Sequence, residues 1–413
     1  MYHRRTDCRC CGSAELSQFL QLGPQPLANS FPKSPEAFAE ELFFPLDVQF
    51  CPRCSLVQIP DVVSPEVLFR DYIYVTGTSD TMARHNPIYA ASVAELAKLG
   101  PGDLVVEAAS NDGSLLSCFQ KQGQRVVGVE PARNIAEMAR ARGVETVAEF
   151  FDASSAAHVR ETYGPARAFV ANNVFAHVDD PSGFLGAAAS LLTDDGLAVF
   201  ESPYIEGFAE ELEYDTVYHE HLAYFSAKAL MHLCERNEMV IVRLDFTPVH
   251  GGSFRLHAGK RKHYREHSAD ALACIAKEEQ AGYHSLARWE RFTADVHKNR
   301  DMLREQLGSL HAAGKTMAAY GAPAKGNTLL NFCRIGTDWL PYTVDKNPLK
   351  VGTYTPGMHL PVKRVETLLE EQPDYVLILP WNLATEIVRQ QAEYRARGGK
   401  FLLPLPVPRL FAG

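Results

Sequence analysis

The chain has 413 residues and a formal charge of −9, with 22% charged and 46% hydrophobic residues. This is the make-up of a soluble globular protein of two or three domains, and its acidic balance without a basic block argues against a general nucleic-acid binder. No uncharged apolar run approaches the ~20 residues of a membrane span, and Met1–Cys8 lacks the apolar run of a signal peptide, so a cytoplasmic protein is expected.

Five of the nine cysteines fall within the first 54 residues. Cys8 and Cys11 have C-x-x-C spacing, although Cys10 lies between them, and Cys51 and Cys54 form a second pair. Each pair can present two thiolates from one tight turn, and two such turns complete a tetrahedral zinc site with no open position, so the metal is expected to be structural. In a reducing compartment metal is favoured over disulfides. Between the pairs, Pro24–Ser30 reads as turn and Phe43–Phe50 alternates like a strand.

From about residue 86 helices alternate with strands. Pro87–Leu99 reads as a helix capped by Asn86 and ended by Gly100-Pro101-Gly102. Leu104–Ala109 reads as a buried parallel strand, Asn111-Asp112-Gly113 as the turn into a helix over Ser114–Gln122, and Arg125–Pro131 as a second strand carrying the acid Glu130. That outline is a nucleotide-binding βαβ unit, with Glu130 placed to accept ribose hydroxyls. A nicotinamide enzyme would prefer G-x-G-x-x-G to seat a pyrophosphate. Here the loop offers Glu107 and one glycine, which suits the cationic, pyrophosphate-free S-adenosylmethionine (SAM). The expected cofactor residues are Glu107, Ser110, Asn111, Asp112, Gly113 and Glu130, with Glu149, Phe150 and Phe151 around the adenine. Asn172 and Asn173 follow at the end of the next strand, and Leu197–Tyr204 reads as another.

The segment Glu213–Phe225 holds three tyrosines, two histidines and three carboxylates. A site that removes a proton and stabilises the resulting charge needs such groups. His221 is the expected base, because imidazole can be neutral near physiological pH. Tyr214 and Tyr224 are expected to pack. Residues 262–312 read as charged helix. A second α/β unit then opens with the strand Thr316–Tyr320 and the loop Gly321–Thr328, where Gly321, Lys325 and Gly326 at a helix start make a phosphate cradle. A second nucleotide-type unit implies a substrate that itself carries phosphates.

In order and type these motifs resemble the SAM-dependent sugar C-methyltransferases that act on nucleotide-linked keto-deoxysugars, most nearly the TDP-sugar C-3′-methyltransferase type. The resemblance spans the chain, through Tyr72–Ser79, Ser110–Gly113, Asn173–His177, Tyr218–His221, His250–Ser253 and Gly321–Asn327. It implies an α/β protein in three parts: a zinc-binding module (1–80), a Rossmann-like SAM domain (81–203) and a Rossmann-like C-terminal domain that grips the nucleotide sugar (204–413). It places the catalytic roles on Tyr72, His177, Tyr218, Glu220 and His221. Tyr74, Tyr218, His219, Lys325, Asn327, Thr328 and Asp345 are expected on the substrate. Ala109 departs from the glycine usual beside SAM. A monomer is expected, since three domains can bury a large core. Methylation at C-5′, a GDP-sugar, a ketoreductase or dual activity, and an inactive nucleotide-sugar binder remain open alternatives.

Overall fold

The computed structural model describes residues 2–69, 80–247 and 252–412. Tyr72 and Tyr74 lie outside the described residues, as does His250.

The N-terminal module is built on an antiparallel sheet in which Ser17–Pro26, Phe43–Phe50 and Val57–Gln58 lie side by side. Its fourth strand, Ala223–Tyr224, comes from the segment just after His221 and pairs Ala223 with Gln58 and Tyr224 with Val57. The expected strand Phe43–Phe50 is therefore present, and its sheet reaches into the catalytic segment.

The central sheet has seven strands. Leu104–Ala108 is flanked on one side by Arg125–Val129 and Thr146–Val147, and on the other by Ala166–Asn172 and Leu192–Pro203, all parallel. Buried apolar runs such as Val105-Val106 and Phe169-Val170 explain this, since strands covered on both faces need no alternation. Two antiparallel strands, Ser253–Lys260 and Met239–Thr247, complete the sheet. Ser253–Lys260 hydrogen-bonds to Leu192–Pro203 and Met239–Thr247 to Ser253–Lys260, so the sheet runs past the expected boundary at residue 203 to Lys260, and the catalytic segment is an excursion between its strands.

The helix expected over Pro87–Leu99 runs instead over Asp80–Leu96, with Pro87 inside it. Met82, Asn86, Tyr89, Ala90 and Val93 are buried at helical spacing. Burial of that face outweighs the single backbone bond the proline forfeits, and Asn86 packs in the helix rather than capping it.

The C-terminal sheet repeats the central plan. Met317–Tyr320 sits between the parallel strands Thr343–Val344 and Tyr375–Ile378, with Lys400–Leu403 parallel beyond and Arg409–Leu410 antiparallel at the edge. In both sheets the strand order reverses beside the first strand of the unit, and such a switch point leaves a crevice at the carboxyl ends. The charged stretch between the sheets forms helices at Ala269–Gln280 and Leu286–Ala312.

Candidate active site

In the central crevice the chain turns sharply after Ala108. Ala109 and Asn111 hold φ of 51° and 48°, and Gly113 holds 74°. A Cβ on Gly113 would come within 2.9 Å of Val144, and one on Gly128 within 2.3 Å of Ser110 Oγ. Two glycines on neighbouring elements thus let the loop lie down on the second strand.

Glu107 ends the first strand almost fully buried, and its Oε2 has no hydrogen-bond partner. Burial, with Glu130 and Asp112 nearby, holds its carboxyl well above the usual range. Ser110 Oγ and Asn172 Oδ1 are likewise buried without partners. An uncompensated buried carboxyl beside unfilled polar atoms suits a cationic, polar ligand, so the donor set fits SAM. Glu130 accepts the Asn111 and Ala132 amides, each at 2.9 Å. This fastens the loop to the second strand and leaves one lone pair on each oxygen.

The other expected cofactor residues divide. Asp112 is committed to Arg142 at 2.6 Å and to the Ser114 hydroxyl, so it shapes the loop. Phe151 packs at 4.6 Å from Phe169 and 5.0 Å from Phe184, a core position. Phe150 is half-buried and Glu149 exposed. Asn173 donates its amide to the Glu201 carbonyl at 2.7 Å.

Across the crevice stand two short segments joined by aromatic packing. Phe175 stacks on Phe200 at 4.5 Å and on Phe225 at 4.9 Å, which fixes the turn carrying His177 against the segment carrying His221. The Leu222 amide donates to the Ala176 carbonyl at 2.8 Å. The two imidazoles lie 4.8 Å apart at 75°.

His221 Nδ1 lies 3.0 Å from the Thr216 carbonyl, and Nε2 lies 2.7 Å from Tyr218 Oη. A carbonyl only accepts, so Nδ1 carries the proton and Nε2 presents its lone pair to the Tyr218 hydroxyl. Tyr224 donates to the same Thr216 carbonyl at 2.9 Å, and Tyr214 to Asn299 at 2.9 Å, the packing roles expected of both. Desolvation pushes His177 down to about 4, so it is neutral at physiological pH, and its single N–H donates to the Glu220 backbone carbonyl. Glu220 is pushed up to about 7 by burial, against the Asn29 hydrogen bond and the charge of Lys350. Its Oε1 accepts from Asn29 at 2.7 Å. His219 turns the other way, donating to the Pro45 carbonyl of the N-terminal module at 3.0 Å. Sequence spacing alone could not separate these adjacent imidazoles.

In the C-terminal crevice a cavity of about 220 Å³ is lined by Tyr320, Gly321, Asp345, Lys346, Lys350 and Ile387, among others. Asp345 accepts the Ala322 and Asn347 amides at 2.7 and 2.8 Å, the same arrangement as Glu130 in the SAM unit. Lys350 donates to the Ala322 carbonyl at 2.7 Å and lies 4.9 Å from the Phe31 ring centre. Lys325 hydrogen-bonds Asn382 and sits 4.5 Å from the centre of Trp381, whose indole N–H donates to buried Asp215 at 2.8 Å. Burial lowers the Lys325 pKa, opposed by Asp215 and Glu213. Asn327 is buried and donates to the Ala28 carbonyl at 2.7 Å, and Thr328 is buried beside it. Asn29, Phe31, Lys350 and Trp381 were missed by sequence reasoning. Only Lys350, five residues beyond the strand-end acid, carried a usable signal.

The Sγ atoms of Cys8, Cys11, Cys51 and Cys54 all lie within 4.8 Å of one another, and Cys10 is outside the set. The two knuckles match: Gly12 N donates to the Cys8 carbonyl and Ser55 N to the Cys51 carbonyl, both at 2.8 Å, with φ of 70° and 63° at Gly12 and Ser55. Four converging sulfurs on paired tight turns fit zinc and leave no open position.

Three family models match in succession: a zinc binding domain over residues 8–69, a methyltransferase domain over 82–244, and a C-methyltransferase C-terminal domain over 248–406. The chain is 35% identical over 406 residues to the C-methyltransferase NovU of Streptomyces niveus, covering 98% of this chain and 97% of that protein. The chain belongs to the SAM-dependent C-methyltransferase family. Its cofactors are SAM and zinc, the metal at the four cysteines. Among solved structures, magnesium protoporphyrin IX methyltransferase of Synechocystis PCC 6803 with bound SAM is 15% identical, covering 48% of this C-methyltransferase and 88% of that chain at a TM-score of 0.34. The Burkholderia thailandensis 1,6-didemethyltoxoflavin-N1-methyltransferase is 23% identical, covering 44% and 80% at a TM-score of 0.34. No described helix of the C-methyltransferase is long and apolar enough to cross a membrane.

Proposed function

We propose that this C-methyltransferase methylates a nucleotide-linked 4-keto-deoxysugar at the carbon next to the ketone, at C-3′ of a TDP-sugar. The observation that carries the reading is the His221 tautomer: its Nε2 lone pair faces a phenolic O–H, a base already adjoining a donor for a developing oxyanion.

The ketone acidifies the neighbouring C–H. Nε2 of His221 takes that proton, while Nδ1–H stays on the Thr216 carbonyl and stabilises the imidazolium. The Tyr218 hydroxyl, released from Nε2, turns to the enolate oxygen, and neutral His177, its N–H held by the Glu220 carbonyl, braces the His221 ring from 4.8 Å. Tyr72 completes this set in the proposal. Bound in the central crevice, SAM would supply an electrophilic sulfonium methyl for the carbanionic carbon of the enolate. Glu107, Ser110 and Asn172 would hold the cofactor's polar groups, and Glu130 the ribose. Glu220 faces a sugar hydroxyl, because its partners are Asn29 and Lys350.

The cavity at Gly321 and Asp345 takes the nucleoside, and Lys346, Lys350 and Lys325 the phosphates. Tyr74, Asn327 and Thr328 are assigned to the same substrate. The zinc module ends near residue 80. The enzyme is read as a cytoplasmic monomer. Mass spectrometry of protein incubated with SAM and a TDP-4-keto-deoxysugar tests the reading: a product heavier by one methyl is expected, and no methyl gain with any TDP-, GDP- or other keto-sugar would overturn it.

A further inference from the structure

Asn29 belongs to the zinc module, yet its side-chain amide donates to Glu220 Oε1 at 2.7 Å across a separation of 191 residues. The segment that carries it is held by the C-terminal unit. Asn327 donates to the neighbouring Ala28 carbonyl at 2.7 Å. Phe38 stacks on His359 at 3.7 Å and 1°, and Glu41 accepts the Gly357 amide at 2.9 Å. A Cβ at Gly357 would come within 3.0 Å of Pro26, so the two loops are in close contact. Lys350 of the C-terminal unit acts on Glu220 electrostatically and lies over Phe31, two residues beyond Asn29. One side chain from each part of the chain thus meets at this carboxylate: Asn29, Glu220 and Lys350.

A segment that only connected strands would gain nothing from aiming an amide at a carboxylate of the catalytic motif. We propose that Asn29 is a positioning residue of the active site, through which the zinc module fixes the orientation and proton affinity of Glu220 toward the sugar. This rests on the reading of Glu220 as a sugar-facing residue. The charged and titratable groups around Glu220 are Lys350, His177 at its backbone, and Tyr218 and His221 on its own segment. An amide donor stabilises the ionised carboxylate, so removing it raises the pH at which Glu220 ionises.

The test compares Asn29→Ala and Glu220→Gln in the full-length protein, reading bound zinc, SAM affinity by calorimetry, kcat and KM for the keto-sugar, and the pH profile of kcat. Asn29→Ala is expected to keep its zinc and its SAM affinity, to lose about tenfold in kcat, and to shift the limb that Glu220→Gln abolishes toward higher pH. Wild-type kcat and pH profile in Asn29→Ala beside an impaired Glu220→Gln would overturn the role of Asn29 alone. Loss of zinc or SAM binding together with activity would overturn it too, as the mark of a merely structural contact. Full activity in Glu220→Gln would instead remove the reading of Glu220 on which the inference stands.

Discussion

The Tyr218 hydroxyl and His221 Nε2 lie 2.7 Å apart, while the opposite ring nitrogen is bound to the Thr216 carbonyl. The carbonyl decides the tautomer, and the tautomer decides which nitrogen can take a proton from carbon.

Removing that nitrogen should be far worse than removing its neighbour. His221→Asn is expected to lower kcat by about 10²–10⁴-fold, the range of a general base. Tyr218→Phe, which leaves the base in place, should lose about 10–10²-fold. Steady-state kinetics with SAM affinity measured alongside would check both, and equal small losses would contradict these roles.

The pH dependence of stability has opposite signs at two sites. Folding raises Glu220 from 4.5 to about 7, so its contribution is fully present below pH 4.5 and lost as pH rises through 7. Glu220→Gln is therefore expected to raise Tm relative to the parent at pH 8 and not at pH 4.5. Folding lowers His177 from 6.5 to about 4, so its contribution is present above 6.5 and lost as pH falls toward 4. Thermal melts of His177→Gln should lose acid sensitivity in that window.

Ala109 carries φ of 51° with a side chain. That conformation costs roughly 1–2 kcal/mol in an L-residue, offset in part by the freedom a glycine adds to the unfolded chain. Ala109→Gly should stabilise by a few tenths to about 1 kcal/mol, seen in chemical denaturation.

Gly128 makes the opposite case. A methyl there would meet Ser110 Oγ at 2.3 Å, so Gly128→Ala must displace the cofactor loop. SAM affinity should fall by tenfold or more, about 1.4 kcal/mol, with zinc content unchanged.

Zinc should matter for both stability and the site. Because Val57–Gln58 pairs with the strand directly after Leu222, a chelator or Cys54→Ser is expected to lower Tm and to slacken the His221 segment. Faster hydrogen exchange at Ala223 and Tyr224 would be the sign.

Much of this was legible in the residues. The cysteine pairs, the strand-end acids Glu107 and Glu130, and the cluster from Tyr218 to His221 announce themselves because chemistry restricts which residues can stand there. Contacts between distant segments did not. Nothing in Pro24–Ser30 beyond its turn residues pointed to Glu220, because that contact exists only once the C-terminal unit has clamped the loop. The continuation of the central sheet past residue 203 was hidden for a related reason: an antiparallel strand that returns to a sheet after a long excursion carries no local mark. His219 and His221 look alike in sequence, and only the fold sends one to Pro45 and the other to Thr216.

The central claim is proton removal by His221 from the carbon beside a ketone. The most direct measurement is deuterium exchange at that carbon, followed by NMR, with the TDP-4-keto-deoxysugar and S-adenosylhomocysteine in deuterated water, so that no methyl can be transferred. The account predicts exchange at one ring carbon with the native enzyme and none above background with His221→Asn. Equal exchange in both would contradict it.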